Sequence, residues 1–181
     1  MCVAGKIASG KSTLIEVIAR HTGFSRISFG GILKKDSEEQ GLSQSREALQ
    51  DYGQSIIDQY GYDGFLQWAI EHSQHIDWNE ALIIDGLRHY LVYESMSEKF
   101  KKTILIYCDC STETQIDRIV ERDKITPEKA KEIISHETEK YVSELEFYAH
   151  IIYRPGSDTS AVMAEIDRLI SDISDDSAIP I

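Results

Sequence analysis

Gly5-Lys6-Ile7-Ala8-Ser9-Gly10-Lys11-Ser12 fits G-x-x-x-x-G-K-[ST]. It stands directly after the short apolar run Met1 to Ala4 and opens the amphipathic stretch Lys11 to His21. Glycines at both ends let the backbone curl until successive N–H groups point inward, and the positive end of the following helix adds to their field. Such a concavity suits a chain of phosphates. Gly5, Lys6, Ile7, Ala8, Ser9, Gly10 and Thr13 then form the cradle, Lys11 reaches the outer phosphates, and the Ser12 hydroxyl ligates Mg²⁺. The competing reading is an ordinary glycine-rich turn with a helix behind it.

Outward from that stretch, short apolar runs alternate with longer amphipathic ones, the pattern of strands alternating with helices in a largely parallel sheet. Strands are expected at Met1 to Ala4, Arg26 to Phe29, Ala81 to Asp85, Thr103 to Tyr107 and His150 to Tyr153. Three of these are nearly continuous apolar runs, as strands covered on both faces require. The first strand is short, which leads to the expectation of one or two residues ahead of Met1. A helix over Lys11 to His21 ends at Gly23, another covers Thr112 to Asp123, and Thr126-Pro127-Glu128 starts a third with a hydroxyl cap and a first-turn proline. The final helix is expected from Ser157 or Asp158 to about Ile173, with a fraying tail over residues 174–181. Residues 30–80 exceed what a simple crossover needs. They read as an inserted helical lobe, with breaks near Gly41 and at Gly61 to Asp63.

The 181 residues make one domain, and Lys+Arg 19 against Asp+Glu 31 gives a net charge of −12. That sign disfavours a nucleic-acid footprint or an anionic membrane surface, so the cations that meet an anionic ligand must be local. Cys2, Cys108 and Cys110 are too few for a disulfide framework and lack a second pair for zinc. Reduced thiols in a cytoplasm are expected. No leader pattern opens the chain and no 18-residue apolar run occurs, so the protein is expected to be neither exported nor membrane-spanning. Asp85, closing its apolar strand, has the position of a carboxylate that holds magnesium through water, although an acid after a strand is also a common turn former.

Four segments together resemble the P-loop small-molecule kinases, specifically the nucleoside monophosphate kinase and dephospho-CoA kinase group. They are the glycine-rich loop, Ile27-Ser28-Phe29-Gly30-Gly31-Ile32-Leu33-Lys34, Asp85-Gly86-Leu87-Arg88, and Thr114 to Asp123. The resemblance implies the three-layer α/β fold of P-loop NTPases, a five-stranded mostly parallel sheet with helices on both faces. It further implies an acceptor-binding helical insertion at 30–80 and a lid over 118–140. ATP and Mg²⁺ are the implied cofactors, and small nucleotides the implied partners, for a monomer or homodimer. In the second segment Gly31 stands where relatives have an acid and Lys34 where they have an arginine. Lys34 would still offer an acceptor phosphate a cation, without the two-pronged fit of a guanidinium, although Lys34 and Lys35 equally read as an ordinary solvated pair. Arg88 is the implied clamp on an acceptor or transferring phosphoryl group. Arg118 and Arg122, four apart on one helical face, would arrive on lid closure, although neighbouring Asp117, Glu121 and Asp123 equally suit a salt-bridged surface helix. Pro155 and Gly156 follow the last strand where relatives shape the adenine pocket.

Two acceptor chemistries remain open. A hydroxyl must lose its proton as it attacks and benefits from a carboxylate base, whereas a phosphate oxygen is already ionised and needs cations. Ser28 to Lys35 contains no acid and ends in two lysines, which favours the phosphate, with Asp36 kept as a possible base. Arg46 and Gln50 could read an acceptor's polar edge. Tyr52, Tyr60, Tyr62, Phe65 and Trp68 offer either stacking surfaces or core. A nucleotide-binding switch that has lost transfer is the reading from a different class.

Overall fold

Val3, Ile83 and Ile106 point to one face of a sheet while Cys2, Ile84 and Leu105 point to the other, and the two faces carry separate apolar cores. The computed structural model describes residues 1–135 and 137–175, with the side chains of 46, 137–140 and 173–175 outside that description. Its strands are β1 (Cys2–Gly5), β2 (Ser25–Ser28), β3 (Leu82–Asp85), β4 (Leu105–Cys108) and β5 (Ile151–Tyr153), ordered β2-β3-β1-β4-β5. Every pairing is parallel. The strands therefore end together, and their carboxyl ends form one rim.

Helices α1 (Lys11–Thr22) and α8 (Thr159–Asp175) cover one face, burying Leu14, Ile15, Ile18 and Ile166 against the Val3 side. The other face is covered by α2 (Phe29–Glu39), α3 (Arg46–Glu71), α4 (Tyr90–Lys99) and α7 (Glu137–Glu144). Each fully buried Leu or Ile contributes about 1.5–3 kcal/mol. Helices α5 (Thr112–Asp123) and α6 (Pro127–Ile134) pack on Ile7 of the glycine-rich loop through Ile119 and Ala130. Among the described residues no helix is long and apolar enough to cross a membrane.

Local chemistry moves several expected boundaries. Phe29 opens α2 instead of closing β2, because the Ser28 hydroxyl accepts the Gly31 N–H and caps the helix. Strand β4 begins at Leu105, two residues later than expected. The helical run of 30–80 breaks over residues 40–45, near the expected Gly41. At Gly61 the chain kinks, with φ 74° and ψ −179°, and the helix resumes. The stretch expected as a lid holds the end of α5, all of α6 and the start of α7, with residue 136 outside the described residues. Of the expected tail, residues 176–181 also lie outside them.

Candidate functional site

The rim of strand ends opens into a cavity of about 1060 Å³, lined by Gly5 from β1, Ser28 from β2, Asp85 from β3 and Tyr153 from β5. Ligands of open parallel sheets bind at such a rim. The glycine-rich loop forms its floor. Gly5 has φ 141°, and a Cβ there would lie 2.5 Å from the Cys108 carbonyl oxygen. Gly10 has φ 96°, and a Cβ there would lie 3.2 Å from Pro155 Cγ and 3.6 Å from Arg118 Nη1. Both positions thus need glycine, for backbone conformation and for space. Lys11 Nζ donates to the carbonyls of Gly5 and Lys6, each at 2.6 Å, so the ammonium lies inside the loop's own curve.

Most of the expected site residues meet in this one space. Ile7, Ala8, Ser9, Ser12 and Thr13 line it with the two glycines and Lys11. So do Lys34, Gln50, Asp85, Arg88, Arg118, Arg122, Pro155 and Gly156. Lys6 is not in the wall and contributes its carbonyl to Lys11. The side chain of Arg46 lies outside the described residues. Among the described residues, Lys11, Lys34, Arg88, Arg118 and Arg122 make five cationic side chains in the wall against one carboxylate, Asp85. In a chain of net charge −12 that is a strong local reversal.

Arg118 stands over the loop in this structure. Its Nη1 already donates to the Ala8 carbonyl at 2.9 Å, because α5 packs directly on the loop. Arg122 lines the cavity while Asp123 holds it two-pronged, Nε at 2.6 Å and Nη2 at 2.7 Å, and this carboxylate raises the guanidinium's pKa. Asp85 pairs in register with Ser28 and Val3, and its Oδ2 lies 3.3 Å from Arg26 Nη2. Asp85 and the Ser12 hydroxyl share the cavity. Among the described residues no cluster of three or more His, Cys, Asp or Glu could hold a metal. One carboxylate and one hydroxyl is the sparse protein set suited to Mg²⁺, which keeps its waters and takes substrate phosphates.

Asp36, kept from the sequence as a possible base, is absent from the cavity wall and only 8% exposed. It accepts from the Tyr52 hydroxyl and from Gln40 Nε2 at 2.6 Å, and His72 Nε2 lies 3.5 Å away. Burial first, then Asp36, pushes the Tyr52 phenol up to about 12, so its hydroxyl remains a donor. This buried group ties α2, which carries Lys34, to both ends of α3. The aromatic residues of the lobe divide. Phe65 lines the cavity and packs edge-on to Phe29 at 5.4 Å, Trp68 stacks on His72 at 4.5 Å, and Tyr60 faces solvent.

His89, Gln44 and Gln54 line the cavity unforeseen. Burial first, then Arg88, lowers the His89 pKa, so it faces the cavity as a neutral ring against Tyr62 and Tyr141. Gln54 was within reach of sequence reasoning, since it lies four residues after Gln50 on the same helical face. Gln44 sits in the α2–α3 loop, where no periodicity points inward.

A family model described as AAA domain matches residues 1–141. Two UPF0200 proteins align over 122 residues, or 67% of this chain. That of Thermoplasma acidophilum is 25% identical and aligned over 65% of its length; that of Thermoplasma volcanium is 24% identical and aligned over 66%. The match thus spans just under two thirds of these curated relatives. A dephospho-CoA kinase of Fusobacterium nucleatum is 28% identical over 153 residues, 73% of this chain and 77% of that protein. Among solved structures, shikimate kinase from Aquifex aeolicus matches with a TM-score of 0.49 and 17% identity, over 94% of this chain and 95% of that one.

Proposed function

The chain belongs to the AAA domain family, within the P-loop small-molecule kinase group, and from that premise we propose that it moves the γ-phosphoryl group of ATP to a small phosphorylated acceptor, a nucleoside monophosphate. The observation that carries this reading is the single cavity whose wall sets five cations against one acid. Two phosphorylated substrates bring several negative charges into one space, and their mutual repulsion must be offset before the reacting oxygens can approach.

In this reading the loop amides and Lys11 hold the donor's outer phosphates. Ser12 and Asp85 would hold Mg²⁺, which would supply positive charge against the donor's phosphates. Lys34 and Arg88 grip the acceptor phosphate, with Gln50 and Arg46 further along the lobe. Arg118, fixed over the loop, and Arg122 face charge that spreads over the transferring group. Pro155 and Gly156 border the donor's base. Neutral His89 adds no charge, and this reading gives it no proton to take. The reading places the protein in the cytoplasm as a monomer or homodimer, with nucleotides and not nucleic acids as its partners.

The dephospho-CoA kinase relative favours a second reading, transfer to a hydroxyl. That chemistry calls for a base; among the described residues of the wall the one carboxylate, Asp85, is paired with Arg26 and given to magnesium here, which leaves the neutral ring of His89 as the base of that second reading. Mixing the protein with ATP, Mg²⁺ and a panel of nucleoside monophosphates plus dephospho-CoA, then measuring ADP, decides among the readings. ADP formation with a monophosphate is expected. ADP with dephospho-CoA alone would install the hydroxyl reading, and ATP binding without any ADP would leave a nucleotide-dependent switch.

Asp36→Asn separates strut from base. A lost strut hydrogen bond, worth about 1 kcal/mol, should raise the acceptor KM by roughly tenfold or less and leave kcat and its pH profile in place. Tyr52→Phe should reproduce the effect. A collapse of kcat in Asp36→Asn, with loss of an acidic limb in the profile, would make Asp36 the base instead.

A further inference from the structure

Gln44 and Gln54 line the cavity, and the protein fixes which end of each amide is engaged. The nitrogen of Gln44 donates to Ser37 Oγ and to the Leu42 carbonyl, both at 3.0 Å, which uses both of its N–H bonds. Ser37 Oγ gives its own proton to the Lys34 carbonyl at 2.9 Å, so it acts as the acceptor from Gln44. A flipped Gln44 would set oxygen against the Leu42 carbonyl, which repels it. On the next element the Gln54 nitrogen donates to Asp58 Oδ1 at 2.8 Å, and a carboxylate admits only the N–H side of an amide. Neither Oε1 has a hydrogen-bond partner among the described residues.

The same stretch of wall carries Leu33, Leu49, Gly53 and Ile57 beside Lys34 and Gln50, and α2 approaches α3 so closely that a Cβ on Gly53 would lie 3.1 Å from Leu33 Cδ1. A largely apolar wall that includes two glutamines with unpaired amide oxygens suits a flat heterocycle with an exocyclic amino group. It is a poor match for one that presents oxygens, because each keto oxygen facing an amide oxygen loses its bond to water and gains repulsion.

Resting on the proposed reading, we infer that this lobe selects acceptor nucleotides whose base bears an exocyclic amino group, with Gln44 and Gln54 as the specificity-determining residues. Their oxygens accept from the amine while Lys34 and Arg88 hold the phosphate.

Two matched pairs test this, because each exchanges an exocyclic amine for a keto group while the neighbouring ring nitrogen changes from acceptor to N–H donor: CMP against UMP, and AMP against IMP. Each nucleotide is titrated into the intact protein by calorimetry without ATP, and kcat/KM is measured separately with ATP and Mg²⁺. In the wild type at least one pair should favour the amino member by tenfold or more. The Gln44→Leu/Gln54→Leu double variant should bring that ratio to within about threefold of one. A ratio within one protein is insensitive to any general loss of active material. Equal or reversed preference in the wild type overturns the inference, as does a preference that survives in the double variant or failure of all four nucleotides to bind. An amino preference in binding with no ADP formed upholds this inference and sinks the phosphotransfer reading.

Discussion

Lys11→Ala should lower kcat/KM for phosphoryl transfer by roughly three orders of magnitude or more, measured as ADP formed with the best acceptor of the panel. The size follows from where the ammonium sits. It lies inside the loop, 2.6 Å from the carbonyls of Gly5 and Lys6, and it lines the cavity. Half-buried there, a positive charge acts at lower effective dielectric than one on the open surface. Alanine removes this charge and its hydrogen bonds to both carbonyls, leaving the Lys6 carbonyl only the Ser9 N–H at 3.3 Å, so the curve of the loop loses an internal clamp as well. Arginine should not restore activity, because its planar fork cannot occupy the space of a compact ammonium. Thermal unfolding close to wild type would show that the loss is local. Transfer within tenfold of wild type in Lys11→Ala would remove the ground for the proposed donor site.

Arg118→Ala comes next, with an expected fall of about a hundredfold in kcat and a smaller change in the KM for ATP. Arg118 is the arginine that α5 holds over the loop, through the Ala8 carbonyl at 2.9 Å, and its guanidinium has further donors to offer. A fixed donor is the arrangement that stabilises developing charge without reorganising during the reaction. Arg122→Ala should cost less, because Asp123 already engages two of its N–H groups. Steady-state kinetics on both variants checks the order. If Arg122 proved the more costly loss, the part given to Arg118 would pass to its neighbour.

The loop and the carboxylate at the end of β3 were legible in the sequence because each is local: a spacing of glycines, an acid closing an apolar run. Meeting of Lys34, Arg88, Arg118 and Arg122 in one cavity was legible only through resemblance to a family. Nothing in spacing alone brings residue 34 to residue 118. Asp36 could not be read, since a carboxylate one turn after a lysine pair looks like a solvated acid until Tyr52 and His72 come round from α3 to enclose it. The pairing of Arg26 with Asp85 was equally hidden, because it depends on the register of β2 against β3. The seat of Arg118 over the loop was hidden too: Ile119 and Ala130 pack α5 and α6 against Ile7, which leaves the guanidinium above the loop.

Because β1 runs down the middle of the sheet, the strand order β2-β3-β1-β4-β5 sorts the proposed roles by side. Lys34, Gln44, Gln54 and Arg88 are borne by segments of the β2–β3 half, whereas Arg118, Pro155 and Gly156 follow β4 and β5. Inheritance can therefore rewrite one flank without disturbing the other. A lineage could exchange its customer while keeping its fuel, and a chimera that grafts residues 25–89 from a relative would carry over the choice of customer alone.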